Sequence, residues 1–73
     1  MIKAGQIYKE INAPKFRKPN KEPFLVTNVY FTSVSIIYSN GEVSRVGIDW
    51  IKGDCELIKE FDKLKDAVWE FIK

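Results

Sequence analysis

The chain has 73 residues, one cysteine and no histidine, with 45% hydrophobic and 30% charged residues and a formal net charge of +2. That composition describes one small globular domain, too mildly basic for a dedicated nucleic-acid clamp. The cysteine and histidine counts exclude an intrachain disulfide framework, a Cys/His zinc site and imidazole-dependent catalysis.

A domain this short buries only about 60% of its unfolded surface, and small scaffolds lean on disulfides, a metal or a partner subunit. With the first two excluded, self-association gains weight. The opening Met1-Ile2-Lys3-Ala4-Gly5-Gln6 lacks the apolar core of a signal peptide. No apolar run reaches the 18 or so residues of a membrane span. A lone cysteine fits a reducing compartment. The expectation is a cytoplasmic protein with no membrane contact.

In chain order, Gln6–Ile11 offers a short strand of moderate β-propensity. Asn12–Pro23 follows as a loop, because Pro14, Pro19 and Pro23 lack N–H donors and disfavour helix before them. Residues 1–23 carry six basic and two acidic side chains, and the positive excess sits mainly in this loop. Phe24–Phe31 and Val34–Ser39 are rich in β-branched and aromatic residues and read as strands around a Thr32-Ser33 turn. Asn40-Gly41 marks a hairpin, and Val43–Trp50 returns as a further strand.

One-sided burial selects the hairpin register. A three-residue loop, Ser39-Asn40-Gly41 with Gly41 left-handed, pairs Tyr38 with Glu42, Ile36 with Ser44 and Val34 with Val46. Val34, Ile36, Tyr38, Val46, Ile48 and Trp50 then share one face. A two-residue turn would set Ile36 against Arg45 instead.

Beyond Gly53 the apolar period becomes helical. Leu57, Phe61, Leu64, Val68, Phe71 and Ile72 form a stripe within about 100° of arc, flanked by Ile58 and Trp69. Asp54 suits an N-cap, and the spacing predicts one helix over Glu56–Lys73. The fold class expected is α+β. It is an antiparallel three-stranded meander, with Gln6–Ile11 as an optional fourth strand and one long C-terminal helix packed on it, in a single domain.

The opening Ala4-Gly5-Gln6-Ile7-Tyr8, the central Val34-Ser35-Ile36-Ile37-Tyr38-Ser39-Asn40-Gly41-Glu42 and the Asp49-Trp50 step resemble the YopT family of small, uncharacterised Bacillus prophage proteins. An unrelated cysteine-protease effector shares that name, but this chain has no His to partner Cys55. The resemblance implies a phage-derived homodimer of one helix on three strands, with no assigned activity. Residues 5–58, with Gly-x-Ile-Tyr, three β runs and the Tyr-Ser-Asn-Gly-Glu hairpin, are also similar to small SH3-like barrels, which bind peptides, nucleic acids or proteins.

No catalytic, cofactor-binding or metal site is legible. Cys55, expected just ahead of a helix, has no resolving cysteine and reads as structural. Asp49, Asp54, Glu56, Glu60 and Asp62 lack the spacing of a carboxylate dyad or a calcium loop and read as caps and solvated faces. Tyr30, Phe31, Tyr38 and Trp50 read as core or interface. Lys15, Phe16, Arg17, Lys18 and Lys21 interleave cations with an aromatic, a pattern suited to an anion or nucleic acid.

Phe24–Phe31 carries large apolar residues on both faces, and one helix covers one face of a sheet. A second copy on a two-fold axis is the expected cover, with Leu25, Val29, Phe31, Ile58 and Trp69 at the interface. The functional expectation is a non-enzymatic homodimeric interaction protein with a further protein partner. The alternative is an SH3-like nucleic-acid-binding module working through residues 12–23.

Overall fold

A computed structural model of the chain describes residues 1–13 and 22–72. Five strands dominate it: β1 (Gln6–Glu10), β2 (Phe24–Val29), β3 (Ser33–Tyr38), β4 (Val43–Gly47) and β5 (Cys55–Glu60). A seven-residue helix, α1 (Ile48–Asp54), joins β4 to β5, and an eight-residue helix, α2 (Leu64–Phe71), follows. Every pairing is antiparallel, and the sheet order is β4-β3-β2-β1-β5.

This overturns the expected three-stranded meander with one long C-terminal helix. The N-terminal strand is no optional fourth: it sits inside the sheet, paired on both sides. The expected strand Val43–Trp50 ends at Gly47, where α1 begins. The expected helix Glu56–Lys73 is strand over its first five residues and helix only over Leu64–Phe71. Helix propensity in Glu56-Leu57-Ile58-Lys59-Glu60 is a weak prior that tertiary context overrides. Here the context is β1, whose second edge would otherwise be left unpaired. Residues 55–60 fill it, from Gln6↔Glu60 to Glu10↔Cys55.

The sheet is rolled. Five flat strands at about 4.8 Å spacing would set β4 and β5 about 19 Å apart. Yet α1, about 10 Å long, joins the two and touches both, as well as β1. The concave face closes on Ile2, Tyr8, Phe24, Val26, Val34, Ile36 and Ile51, ringed by Tyr38, Val46, Ile48, Trp50 and Cys55. The convex face packs Ile7 and Leu25 beneath Ala67 of α2, with Ile37, Phe61, Leu64 and Phe71 around them. Strand β2 thus has the two covers its composition demands, and both come from this chain.

The hairpin register is the one that one-sided burial selects. Val34 faces Val46, Ile36 faces Ser44 and Ser35 faces Arg45. Gly41 has φ 90°, the Gly41 N–H donates to the Tyr38 carbonyl at 2.9 Å, and the Glu42 N–H donates to Asn40 Oδ1 at 2.9 Å. Val34, Ile36, Tyr38, Val46, Ile48 and Trp50 share the concave cluster, as the register requires. A bulge in β2 departs from the simple alternation. Val26 pairs with Ile36 but Asn28 with Ser35, so Thr27 is extra and its hydroxyl bonds the Ser35 carbonyl. Beyond Thr27 the faces exchange.

Gly5 holds β1 against β2 and the segment after β5. Its N–H donates to the Val26 carbonyl, and its carbonyl accepts from the Phe61 N–H, both at 3.0 Å. Its φ is +96°, and a Cβ there would lie 2.8 Å from the Phe61 carbonyl oxygen. Gly41 has a similar φ but open space around it. Gly41→Ala should therefore cost about 1–2 kcal/mol from backbone strain alone, and Gly5→Ala roughly twice that, because backbone must also move. Urea unfolding of both variants checks this; equal midpoints would refute the steric assignment.

Candidate functional site

The described residues hold no group of three His, Cys, Asp or Glu side chains able to bind a metal. Cys55 does not precede a helix. It follows α1 as the first residue of β5, so no helix N-terminus activates it. Burial pushes its thiol pKa up to about 12, and the Glu10 and Asp54 carboxylates add to the rise. The thiol is therefore neutral and a poor nucleophile at physiological pH. The other acidic residues are dispersed: Asp49 in the first turn of α1, Asp54 at its end, Glu56 and Glu60 on β5, and Asp62 before α2.

Glu60 belongs to a structural network around buried Gln6. Gln6 Nε2 donates to Glu60 Oε2 at 2.6 Å and to the Met1 carbonyl at 3.1 Å. Gln6 Oε1 accepts from the Lys3 N–H at 2.8 Å and from the Tyr8 hydroxyl at 2.9 Å. The Gln6 bond, then Lys3 at 3.6 Å, hold the Glu60 carboxyl below the usual carboxylate range.

The aromatic residues divide into two groups. Buried Phe24 stacks on Tyr8 at 6.2 Å and on Trp50 at 5.4 Å and meets Tyr38 edge-on at 6.2 Å. Trp50 Nε1 donates to Glu10 Oε2 at 3.0 Å, satisfying its indole N–H in the core. Tyr38 and Trp50 are thus core residues with one side open. Tyr30 and Phe31 stand apart, exposed at the β2–β3 turn. The Thr27 bulge puts Tyr30 on the convex face, where the Arg45 guanidinium lies 4.0 Å over its ring. Arg45 Nε also donates to Ser33 Oγ at 3.1 Å. Counting alternate positions from Phe24 places Tyr30 on the wrong face, and only the bulge corrects it.

The basic segment springs from the end of β1, where the Ile11 and Asn12 N–H groups both donate to the Asp54 carbonyl. Lys15, Phe16, Arg17, Lys18 and Lys21 lie outside the described residues. Of the expected contact residues, Leu25 has no exposed surface and lies beneath α2. Val29 and Ile58 are about half-exposed, whereas Phe31 is 98% and Trp69 85% exposed.

α2 explains the exposure of Trp69. Leu64, Ala67 and Phe71, spaced i, i+3, i+7, face the sheet. A groove along the adjoining flank is lined by Leu64, Lys65, Val68, Trp69 and Ile72. At 100° per residue, Asp66 and Glu70 fall on the other flank. The helix therefore carries a wider apolar arc than the sheet covers.

No family model, curated protein or solved structure matches the chain.

The protonation of Cys55 has two consequences. At pH 8 the folded protein should react with iodoacetamide about tenfold more slowly than the urea-unfolded chain; equal rates would contradict a buried, neutral thiol. Tyr8 and Tyr38 are also raised above their ordinary values, chiefly by burial. A raised folded pKa gives stability that is complete below the unfolded pKa and is lost as pH rises through the folded one. Stability should therefore fall from about pH 9 towards pH 12, and Cys55→Ala should flatten that fall, as pH-dependent melting will show.

Proposed function

We propose that the protein is a non-enzymatic interaction module that works as a homodimer, with the uncovered flank of α2 at its centre. The observation that carries this reading is Trp69, 85% exposed beside the exposed Val68 and the partly buried Ile72 on a helix already packed by its other face. Large exposed apolar surfaces mark contact sites, and tryptophan is prominent among residues that dominate interface energetics. A second copy on a two-fold axis sets this flank against itself. Val29 and Ile58 are further exposed candidates; Leu25 drops out because α2 of the same chain covers it, and Phe31 lies in the β2–β3 turn, away from α2. The resemblance to YopT-family prophage proteins agrees with a homodimer of phage origin, and this reading places it in the cytoplasm with a further protein partner. Among the described residues, no helix is long and apolar enough to cross a membrane.

A second reading is favoured by the connectivity. The order β4-β3-β2-β1-β5, with a helical turn between β4 and β5 and a long segment between β1 and β2, supports the resemblance to small SH3-like barrels. In that reading residues 12–23 bind nucleic acid, and affinity should fall steeply with salt. Sub-micromolar binding at physiological salt, lost on replacing Lys15, Arg17, Lys18 and Lys21 by Ala, would favour it.

Sedimentation at micromolar concentration tests the homodimer. The wild-type chain should run at twice its 8.5 kDa mass, and Trp69→Lys should run as a monomer with its fold intact. A wild-type species at the single-chain mass would defeat the proposal.

A further inference from the structure

The convex face of the sheet is covered by α2 over β1 and β2 and as far as Ile37 on β3. Beyond Ile37, towards Ser33 and across β4, it is open. Residues directly opposite on paired strands share a face, so Ser33 with Gly47 and Ser35 with Arg45 form that open surface, with Val43 at its edge opposite Ile37. Tyr30 joins it beyond the bulge, and Phe31, next to Tyr30 in the β2–β3 turn, is fully exposed. The surface offers hydroxyls, two aromatic rings and one cation, and none of these residues is a carboxylate.

Arg45 is fixed in place but not neutralised. Its guanidinium lies 4.0 Å over the Tyr30 ring, and its Nε donates to Ser33 Oγ. No ion pair joins Arg45 to a described carboxylate. An arginine pinned by a ring and a hydroxyl keeps its terminal N–H groups available for an anion. Its side-chain entropy is already largely spent, so an incoming phosphate meets a preorganised donor.

We propose that this surface binds single-stranded nucleic acid, with Arg45 on a phosphate and Phe31 stacked on an adjacent base. Stacking on an exposed ring requires an unpaired base, which a duplex does not present. Duplex affinity instead needs many phosphate contacts, and this face has one cation. A protein partner would be better served by the apolar flank of α2 than by a face of serines with an unpaired arginine. Tyr30 and Phe31 follow the end of β2, whereas the chain enters β2 at Phe24.

Fluorescence anisotropy with a labelled oligo-dT of about twelve nucleotides tests the proposal on the full chain. Saturable binding is expected at low salt. Phe31→Ala and Arg45→Ala should each weaken it about tenfold; thermal melting should be unchanged in Phe31→Ala, whose side chain is 98% exposed, and lowered by only a few degrees in Arg45→Ala, which loses its contacts with Tyr30 and Ser33. Arg45→Ala should also make the log–log salt slope shallower by about 0.7, whereas Arg45→Lys should preserve the slope. Amide shifts in the wild-type protein should concentrate at Tyr30, Phe31, Ser33 and Arg45, a measurement that needs no variant. No binding at low salt would overturn the proposal, as would equal affinity for duplex DNA. Binding that survives both variants but disappears when Lys15, Arg17, Lys18 and Lys21 become Ala would also overturn it.

Discussion

The pairing of β1 with β5 is the constraint on which the other features depend. β1 is five residues long and lies between β2 and β5, so both its edges are used. Its side chains leave little choice. Gln6, Ile7, Tyr8 and Glu10 are all buried, two of them polar. Buried polar groups need partners, and Gln6 finds one on β5 in Glu60 and another in the N-terminal segment. Once residues 55–60 are committed to β1, the chain between β4 and β5 must cross from one end of the sheet to the other. A seven-residue helix can do so only if the sheet rolls. The roll brings Phe24, Tyr8, Tyr38 and Trp50 together, and that aromatic cluster becomes the core.

The same commitment shortens the C-terminal helix. With β5 removed, eight helical residues remain. They cover Ile7 and Leu25 as far as Ile37, and leave bare the convex face around Ser33, Ser35 and β4. The two surfaces that interest us, the outer flank of α2 and the Arg45–Tyr30 face, are therefore both residues of incomplete coverage. Each is what a short helix on a five-stranded sheet fails to hide. They differ in chemistry: one is aliphatic with a tryptophan, the other hydroxylic with a held cation.

How much of this was legible in the sequence depends on how local each determinant is. The β3–β4 register follows from neighbours: Asn40-Gly41 supplies the turn, and Val34, Ile36 and Val46 need one face. The strand β1 was legible as a strand but not as an interior one. The strand β5 was not legible, because Leu57 and Phe61 fit a helical period and their true partners lie some fifty residues upstream. The adjacent pair Leu57-Ile58 was the available hint, since it made the supposed helical stripe too wide. For β2, the need for cover on both faces was readable, but its source was not, because the long helix seemed already assigned to one face. On the site side, the composition of the open β3–β4 face follows from the hairpin register. Tyr30 does not, because the bulge at Thr27 leaves no mark in an alternating apolar pattern. The placement of Cys55 moved with α1, which converts a residue expected before a helix into one after it.

The separation between β1 and β5 also shapes how the chain reaches its native state. The β3–β4 hairpin joins residues close in sequence and forms on the order of microseconds. The β1–β5 ladder instead closes a loop of some fifty residues, and the hydrogen bond from Gln6 to Glu60 spans 54 positions. The entropy of that closure must be met before any of its contacts stabilise the chain. β1 precedes β5 in the chain by some fifty residues, so one of its edges has no partner until the residues up to Glu60 have been made. In that interval Ile7 and Tyr8 present an open strand to every other chain nearby. The edge of β1 that β5 covers is therefore open to intermolecular pairing until β5 docks.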